Sequence, residues 1–446
     1  MKWKKVTAIM LAAVTLTGMF SGCGSSKSGE STDTGDSSEP VVLQWWGSFP
    51  EDQGPNQVCE AFNAIDPNVQ VEYTRFVNDD SGNTKLDVSL MSDSSIDIFT
   101  SLNDVWLKKR IDSGYCYALD ELFEDAGFDI NEYYDDTISQ REIDGHYYSL
   151  PAKKMTYTIL YNKDMFDEAG VPYPEPDWTY DEFLETAKAL TKGEGNDKVY
   201  GYMYPGYDAG QPATVMQVGL QGQNWMYGED GSAQIDTDIV KDVTEKYLER
   251  VEEGIEPSYV DITTQNMDVA NMFLTEKAAM IFGDWVVRDV KDTDTYPHDF
   301  VTGFANMPRL SEDQEANYTT SYTDDMSINS KSEHVKEAMD FIIWYIEEGM
   351  DYVAPFSRIP ACTKYTQDEL ESLIFGDKEE LFDMDSARSV YLTGTDFSTR
   401  SEFAAAQEIN TILTEEFEKA FAGEQSVDET LSKAQERADE ALEKAQ

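Results

Sequence analysis

The stretch VVLQWWGSFPEDQGPNQVCEAFNAIDPNVQVEYTRF, residues 41–76, decides the fold class of this chain. Residues 41–49 are mostly apolar and aromatic, and residues 69–76 alternate between apolar and polar side chains, so both are predicted to be strands. Residues 57–64 between them have the spacing of a helix that ends before a proline. A strand, a helix and a second strand, with no hairpin dipeptide between them, predict a parallel α/β arrangement.

The alternation of strands and helices continues along the chain. IDIFTS at 96–101 and AAMIFG at 278–283 are predicted to be strands, and 179–192 is predicted to be an amphipathic helix with a capping box. From residue 405 onward the chain is predicted to be nearly all helix, and it shows no internal repeat. Ligands of such α/β folds bind beyond the carboxyl ends of strands, so aromatic and polar side chains at those positions are the candidates for a site.

The N-terminus has the features of a secretory signal over residues 1–22, namely three lysines, an apolar stretch and a small-residue ending. The apolar stretch is shorter than the ~20 residues of a membrane span. The ending FSGC resembles a bacterial lipobox, which would make Cys23 the lipid-modified first residue of the mature protein. Residues 23–40 then form a flexible tether rich in Gly, Ser, Thr and Asp. We therefore expect an exported protein, anchored by its lipid at the outer face of the bacterial cytoplasmic membrane.

The chain is strongly acidic. Its formal net charge of −53 becomes −56 when a signal with three lysines and no acids is removed. Such a surface repels phosphate backbones and anionic headgroups, which disfavours nucleic acid, peripheral membrane binding and polyanionic substrates. Most of the acidic side chains are expected simply to keep an exported protein soluble.

The four cysteines, Cys23, Cys59, Cys116 and Cys362, form no CxxC pair and have no histidine at metal spacing. Neither a metal site nor a cofactor is therefore expected. With Cys23 assigned to the lipid, the other three are expected to be free, buried thiols, and one disulfide between two of them is the alternative.

Four segments carry a resemblance to a known family: LQWWGSF at 43–49, SIDIFTSLNDVW at 95–106, YNKDMFDEAGVPYPEPDWTYDEF at 161–183 and FLTEKAAMIFGDW at 273–285. From 41 to 446 the chain resembles the extracellular solute-binding proteins of ABC importers, in particular those that bind sugars and oligosaccharides. The resemblance implies a monomeric binding protein rather than an enzyme. Such a protein delivers its sugar or oligosaccharide to an ABC permease and its ATPase in the membrane.

The resemblance also implies the architecture, a two-lobed periplasmic-binding-protein-like α/β fold of type II. Each lobe is expected to be a mixed, mainly parallel sheet flanked by helices, with hinge crossovers between the lobes and the ligand in the cleft. Lobe 1 is expected to contain 41–153 and about 307–353, and lobe 2 about 154–306 and 354–446.

A sugar presents a weakly apolar C–H face and a rim of hydroxyl groups, so its cleft needs a flat aromatic ring and hydrogen-bonding carboxylates or amides. The resemblance makes Trp285 the expected stacking ring, with packing between helix and sheet as the alternative. Asp284 is expected either to accept from a ligand hydroxyl or to cap the residues from Val286 onward. Because side chains alternate along a strand, only one of Trp45 and Trp46 faces the core, and Trp46 is the candidate for the cleft.

Further ligand-binding candidates lie in loops and in the hinge. The loop after IDIF is where members of the family contact hydroxyl groups, although its composition also suits an ordinary helix start. The hinge run PAKKMTY at 151–157 has no acid where the family often has one, whereas SYTDDMSI at 321–328 has two. Arg358 is expected either to form a structural ion pair or to donate to the ligand. The candidates from these segments are Thr100, Ser101, Asn103, Asp104, Tyr157, Tyr322, Asp324, Asp325 and Arg358.

The main alternative is a secreted glycoside hydrolase, because its cleft would carry the same aromatic and acidic residues. No spacing among the 87 Asp and Glu residues singles out a catalytic pair. A carbohydrate-binding or adhesive surface lipoprotein is a third hypothesis. Catalysis by a Ser–His or Cys–His pair is disfavoured, since His146, His298 and His334 lie in no nucleophile motif.

Overall fold

The computed structural model describes most of the chain after the predicted tether. The described residues are 40–92, 95–156, 158–206, 225–228, 231–310, 321–393 and 405–445. The predicted signal and almost all of the tether, including Cys23, lie outside these ranges. No helix within them has the length and the apolar character needed to cross a membrane.

Within the described residues, nine strands form two sheets. In chain order they are β1 (Val41–Gly47), β2 (Val69–Arg75), β3 (Ile98–Ser101), β4 (Leu150–Thr156), β5 (Ile159–Asn162), β6 (Met280–Phe282), β7 (Thr302–Ala305), β8 (Ser321–Ile328) and β9 (Ile359–Pro360). The larger sheet has the order β2-β1-β3-β8-β4-β9, and the smaller has the order β6-β5-β7. The chain passes from the larger to the smaller sheet between β4 and β5, and it returns between β7 and β8. This is the two-lobed architecture expected from the family resemblance.

The strands of the larger sheet have mixed directions. β1 is parallel to β2 and β3, which confirms the parallel unit predicted from residues 41–76. β8 is antiparallel to β3 and β4, and β9 is antiparallel to β4. In the smaller sheet β5 is antiparallel to both of its neighbours. The expectation of mainly parallel sheets is therefore wrong for the described strands, because β8 enters its sheet from the other lobe rather than through a helical crossover.

Helices flank both sheets. Their bounds are Pro55–Ile65, Asp80–Ser92, Asp104–Asp112, Asp120–Ala126, Lys163–Ala169, Tyr180–Leu190, Asp238–Glu252, Tyr259–Gln265, Val269–Leu274, Val287–Lys291, Val335–Trp344, Met350–Val353, Gln367–Ile374, Met384–Ser386, Ala406–Phe421 and Val427–Ala445. Local signals set several of these ends. The capping box predicted at 179–192 is present, since Thr179 and Glu182 each accept a hydrogen bond from the other's backbone.

The larger sheet has its own apolar core, and the smaller sheet packs against two further cores. In the core of the larger sheet, the Trp45 ring packs against Phe341 and Tyr345 at centroid distances of 5.6 and 5.3 Å. The smaller sheet shares a core with the two C-terminal helices, Ala406–Phe421 and Val427–Ala445. Long-range packing thus places the end of the chain in the lobe of the smaller sheet.

The cores also mark where the chain passes between lobes near β9. Val353 packs in the core of the larger sheet, and the next residue, Ala354, packs with the smaller sheet. Ala361 and Cys362 return to the first core, so these two residues depart from the predicted assignment of 354–446 to lobe 2. Of the three described cysteines, Cys116 and Cys362 are buried, as expected, whereas Cys59 is only half-buried.

Candidate ligand-binding site

Trp285 lies in the turn that follows β6. The strand ends at Phe282, and Gly283 leads into a short 3-10 turn over Asp284–Val286. The indole meets the Phe282 ring edge-on at a centroid distance of 6.2 Å, and a Cβ on Gly283 would lie 3.3 Å from Trp285 Cζ2. Trp285 is half-buried and packs against both apolar cores of the smaller sheet. The fold therefore supports part of the ring and leaves the rest exposed, as stacking on a sugar requires.

The Asp284 side chain is buried, with 3% of its surface exposed. Burial raises the pKa of this carboxyl to about 7, whereas the nearby Lys153 ammonium and the Trp285 backbone N–H oppose that rise. Asp324 adds to it as a like charge. At neutral pH the Asp284 carboxyl is therefore close to the midpoint of its titration, and it lies next to the candidate stacking ring.

The two charged residues that act on Asp284, Lys153 and Asp324, both belong to the larger sheet. They are cross-strand partners on β4 and β8, and Lys153 Nζ lies 3.4 Å from Asp324 Oδ2. No other donor among the described residues reaches either carboxylate oxygen of Asp324, although only 2% of the residue is exposed. Burial raises its pKa, and the charges of Lys153 and Arg358 oppose the rise. Such a carboxylate has acceptor capacity left for a ligand hydroxyl.

Arg358 lies beside this group with an aromatic partner. Its guanidinium Cζ is 3.6 Å from the centroid of the Phe49 ring, and its Nη1 donates to the backbone carbonyl of Gln53 at 3.1 Å. From the other lobe, Arg288 Nη1 donates to Gln53 Oε1 at 3.2 Å. Burial lowers the pKa of Arg358 to about 10. Within the described residues Arg358 has no carboxylate at ion-pair distance, so the alternative of a structural ion pair is wrong there.

The two tryptophans of β1 face opposite sides of the larger sheet, as predicted. Trp45 is 1% exposed, and its Nε1 donates to Thr100 Oγ1 at 3.2 Å, so Thr100 has a structural role. Trp46 is half-buried against the apolar cluster on the other face, and Lys85 Nζ lies 5.6 Å from its ring centroid. Trp46 stays a prediction for the ligand site.

Two residues of the loop after β3 that were predicted to contact the ligand make hydrogen bonds within the protein. Ser101 is fully buried, and its Oγ accepts from Arg110 Nη1 at 2.8 Å, which gives this hydroxyl a structural role. A ligand contact of Ser101 stays a prediction. Asn103 Oδ1 accepts from the Trp106 backbone N–H at 2.9 Å and caps the following helix. The helix-start alternative therefore accounts for the contact of Asn103.

Asp104 and Asp325 share one buried cation. Arg141 Nη2 donates to Asp104 Oδ1 at 3.1 Å and to Asp325 Oδ2 at 2.6 Å. Asp325 also accepts from the hydroxyls of Ser149 and Thr323 at 2.9 and 2.6 Å, so its acceptor capacity is used within the protein. The remaining candidates give no side-chain geometry: Tyr157 lies outside the described residues, and Tyr322 is described by its backbone in β8.

Several residues of this site were not predicted from the sequence. A hinge lysine, an aromatic residue and two polar side chains complete the surroundings of Asp284 and Arg358. Their positions depend on strand pairing and on contacts between distant segments, for which a single sequence gives no signal. They are Phe49, Gln53, Lys153 and Arg288.

The sequence of this chain matches a family profile over residues 46–351, and the family is described as bacterial extracellular solute-binding protein. The chain belongs to this family. The match includes Trp46, Lys153, Asp284, Trp285 and Asp324. Extracellular solute-binding proteins are exported and bind their solutes rather than transform them.

Individual solute-binding proteins show the same likeness. A maltotriose-binding protein of Pyrococcus abyssi is 26% identical over 275 residues, which are 61% of this chain and 54% of that protein. A sugar transporter protein of Rhizobium etli, solved in an open conformation, is 24% identical with a TM-score of 0.71, covering 89% of this chain and 99% of that one. An ABC substrate-binding protein of Listeria monocytogenes in complex with cycloalternan is 18% identical with a TM-score of 0.73, covering 91% and 100%. The two solved structures support the two-lobed fold.

Proposed function

We propose that this solute-binding protein captures a sugar or oligosaccharide between its lobes and delivers it to an ABC importer. One observation carries the proposal: the half-buried Trp285 follows the buried Asp284, whose carboxyl is under the electrostatic influence of the Lys153–Asp324 pair of the other sheet. The indole offers a flat surface for the C–H face of a sugar ring, and the carboxylates offer acceptors for its hydroxyl groups. Closure of the lobes would bring both kinds of contact onto one ligand.

The relatives support a carbohydrate as the ligand. One binds maltotriose according to its name, one is described as a sugar transporter, and one was solved with cycloalternan. The acidic composition of this chain further favours an uncharged ligand over a polyanion. A neutral saccharide satisfies both observations.

A thermal-shift panel tests the proposal. We would record the melting temperature of the protein without its signal at increasing concentrations of maltose, maltotriose, mannobiose, D-mannitol and, as a polyanionic control, heparin. A ligand that binds only the folded state stabilises it by about 2.7 kcal/mol at 100 times its dissociation constant. We expect at least one saccharide to raise the melting temperature in a concentration-dependent way, and heparin to leave it unchanged.

The same incubations separate binding from hydrolysis. A binding protein leaves the saccharide intact, whereas a glycoside hydrolase with Asp284 and Asp324 as its acids would release reducing ends. Reducing ends that accumulate in proportion to enzyme concentration and time would contradict the proposal. A panel in which no saccharide shifts the melting temperature would contradict it as well.

We also propose lipid anchoring through Cys23 for a monomeric protein that works with a membrane permease and an ATPase. The FSGC ending and the tether of 23–40 support the anchor. Cells grown with a labelled fatty acid should label the wild-type protein and not Cys23→Ala, while Cys59→Ala should keep the label. Equal labelling of the two cysteine variants would contradict anchoring at Cys23.

A further inference from the structure

Gln53 receives hydrogen bonds from two arginines that come from different parts of the fold. Arg288 Nη1 donates to its side-chain Oε1 at 3.2 Å, and Arg358 Nη1 donates to its backbone carbonyl at 3.1 Å. Arg358 belongs to the crossover segment before β9, whereas Arg288 belongs to the helix Val287–Lys291 of lobe 2. The bond between Gln53 and Arg288 is therefore a side-chain contact that joins lobe 1 directly to lobe 2.

The loop that carries Gln53 is fixed to lobe 1. The Tyr73 hydroxyl of β2 donates to the Phe49 backbone carbonyl at 2.9 Å. Gly54 has a φ of 114°, and a Cβ at this position would clash with the side chain of Val353, which packs in the core of the larger sheet. The loop thus lies directly against that core, and Gln53 follows lobe 1 when the lobes move.

Arg288 is coupled to the ring that is expected to stack on the saccharide. The 3-10 turn Asp284–Val286 continues directly into the helix Val287–Lys291, so Trp285 and Arg288 are three residues apart on one helical stretch. Side chains at this spacing share a face of a helix. Val287 is fully buried in a core of the smaller sheet and fixes the orientation of the helix. A contact that holds Arg288 therefore also holds the turn that carries Trp285.

We propose that the Gln53–Arg288 bond is a latch between the lobes, which favours their approach and positions Trp285 for the saccharide. The inference rests on the proposed function. Rotation at the crossovers changes the distance between groups on different lobes, and a side-chain hydrogen bond is lost beyond about 3.5 Å. The bond therefore forms only when the lobes are close together. A ligand held between the lobes binds more weakly when that conformation is less populated, so Gln53 is a positioning residue that raises the affinity.

A double-mutant cycle tests the latch. Gln53→Ala removes the side-chain acceptor and keeps the backbone carbonyl that receives Arg358, and Arg288→Ala removes the donor. Calorimetry would give the affinity for maltotriose of the wild type, the two single variants and the double variant. Each single variant should bind roughly three- to tenfold more weakly, and the double variant should bind no more weakly than the weaker single variant. Losses that multiply in the double variant would show two independent effects and overturn the proposal.

The cycle also accounts for the second contact of Arg288. Its Nε lies 3.5 Å from Asp289 Oδ2 on the same helix, and the loss of this pair is common to Arg288→Ala and the double variant, so it cancels.

Two further variants separate a latch from an ordinary structural bond. Gln53→Glu offers Arg288 a charged acceptor and should bind maltotriose at least as tightly as the wild type. Gln44→Ala is the matched control, because Gln44 Nε2 donates to Glu72 Oε2 at 2.9 Å between two strands of lobe 1, and it should keep the wild-type affinity. Binding by Gln53→Glu as weak as that of Gln53→Ala, or an equal loss in Gln44→Ala, would contradict the latch.

Small-angle X-ray scattering of the ligand-free proteins provides a test that needs no saccharide. Gln53→Ala and Arg288→Ala should each have a larger radius of gyration than the wild type, since their lobes are less often close together, whereas Gln44→Ala should match the wild type. Equal radii in all four proteins would overturn the proposal. If no saccharide of the panel binds and the radii still differ in this way, the proposed function is rejected and the latch is retained.

Discussion

Trp285→Ala should weaken saccharide binding by at least roughly 30-fold, since truncation of a central aromatic anchor typically costs 2 kcal/mol or more. The indole is half-buried and stands at the end of β6, so it offers the ligand a supported flat surface. The same ring packs against both cores of the smaller sheet, and its loss should also lower the free energy of unfolding. We expect that loss to stay below the roughly 3–5 kcal/mol of a fully buried tryptophan.

Isothermal calorimetry with the saccharide found in the panel, together with urea unfolding, measures both effects of Trp285→Ala. Trp344→Ala is the matched control, because Trp344 is also half-buried but packs on Phe62 and Phe341 in the core of the other lobe. The control should lose stability and keep its affinity. Unchanged affinity in Trp285→Ala with a large loss of stability would show that the ring only packs between helix and sheet.

Asp284→Asn should stabilise the ligand-free protein at about pH 8 and weaken saccharide binding. The carboxyl has a pKa of about 7 in the folded protein against 3.8 for an exposed group, chiefly because of burial. Below about pH 4 it is protonated in both states, and between about 4 and 7 only the folded state keeps the proton. The free energy of unfolding therefore falls as pH rises through this window. With about 1.4 kcal/mol for each tenfold change in proton affinity, the loss amounts to at most roughly 4 kcal/mol.

An amide at position 284 does not ionise, so the variant should lack this loss of stability above about pH 7. Its neutral oxygen accepts more weakly from a ligand hydroxyl, and we expect roughly 10- to 100-fold weaker binding. Denaturant unfolding at about pH 5 and pH 8, with calorimetry, measures both quantities. Asp292→Asn is the control, and it should lower the free energy of unfolding at pH 8 rather than raise it. Hydrogen bonds from Thr295 lower the pKa of Asp292, so its carboxylate stabilises the folded protein. If Asp284→Asn were no more stable than the wild type at pH 8, ionisation of Asp284 would not lower the free energy of unfolding, and the prediction would be wrong.

The parts of the fold that depend on local signals could be predicted from the sequence. The strand–helix–strand unit at 41–76, the capping box at Thr179 and the C-terminal helices all appear where they were expected. Strand direction outside the first three strands could not be predicted, since β8 reaches its partners from more than 150 residues away along the chain. A single sequence contains no pairing information at that separation.

The site divides in the same way. Trp285 and Asp284 could be predicted as site residues because they follow a recognisable strand and turn. The roles of Lys153 and Gln53 depend on which side chains face them across the hinge, and neither residue is unusual in its local sequence. The structural role of Ser101 was missed for a related reason, because its partner Arg110 lies on the next helix and donates to the hydroxyl inside the lobe.

Asp324 and Asp325 are neighbours in the chain, yet the alternation of β8 gives them different surroundings. Asp325 is satisfied by Arg141, Ser149 and Thr323, and its loss would leave a buried cation without its partner. Asp324 keeps acceptor capacity at the junction of the lobes. Substitution of Asp325 should therefore cost the stability of its own lobe. Substitution of Asp324 should alter the affinity for the proposed ligand and leave the fold of that lobe nearly unchanged.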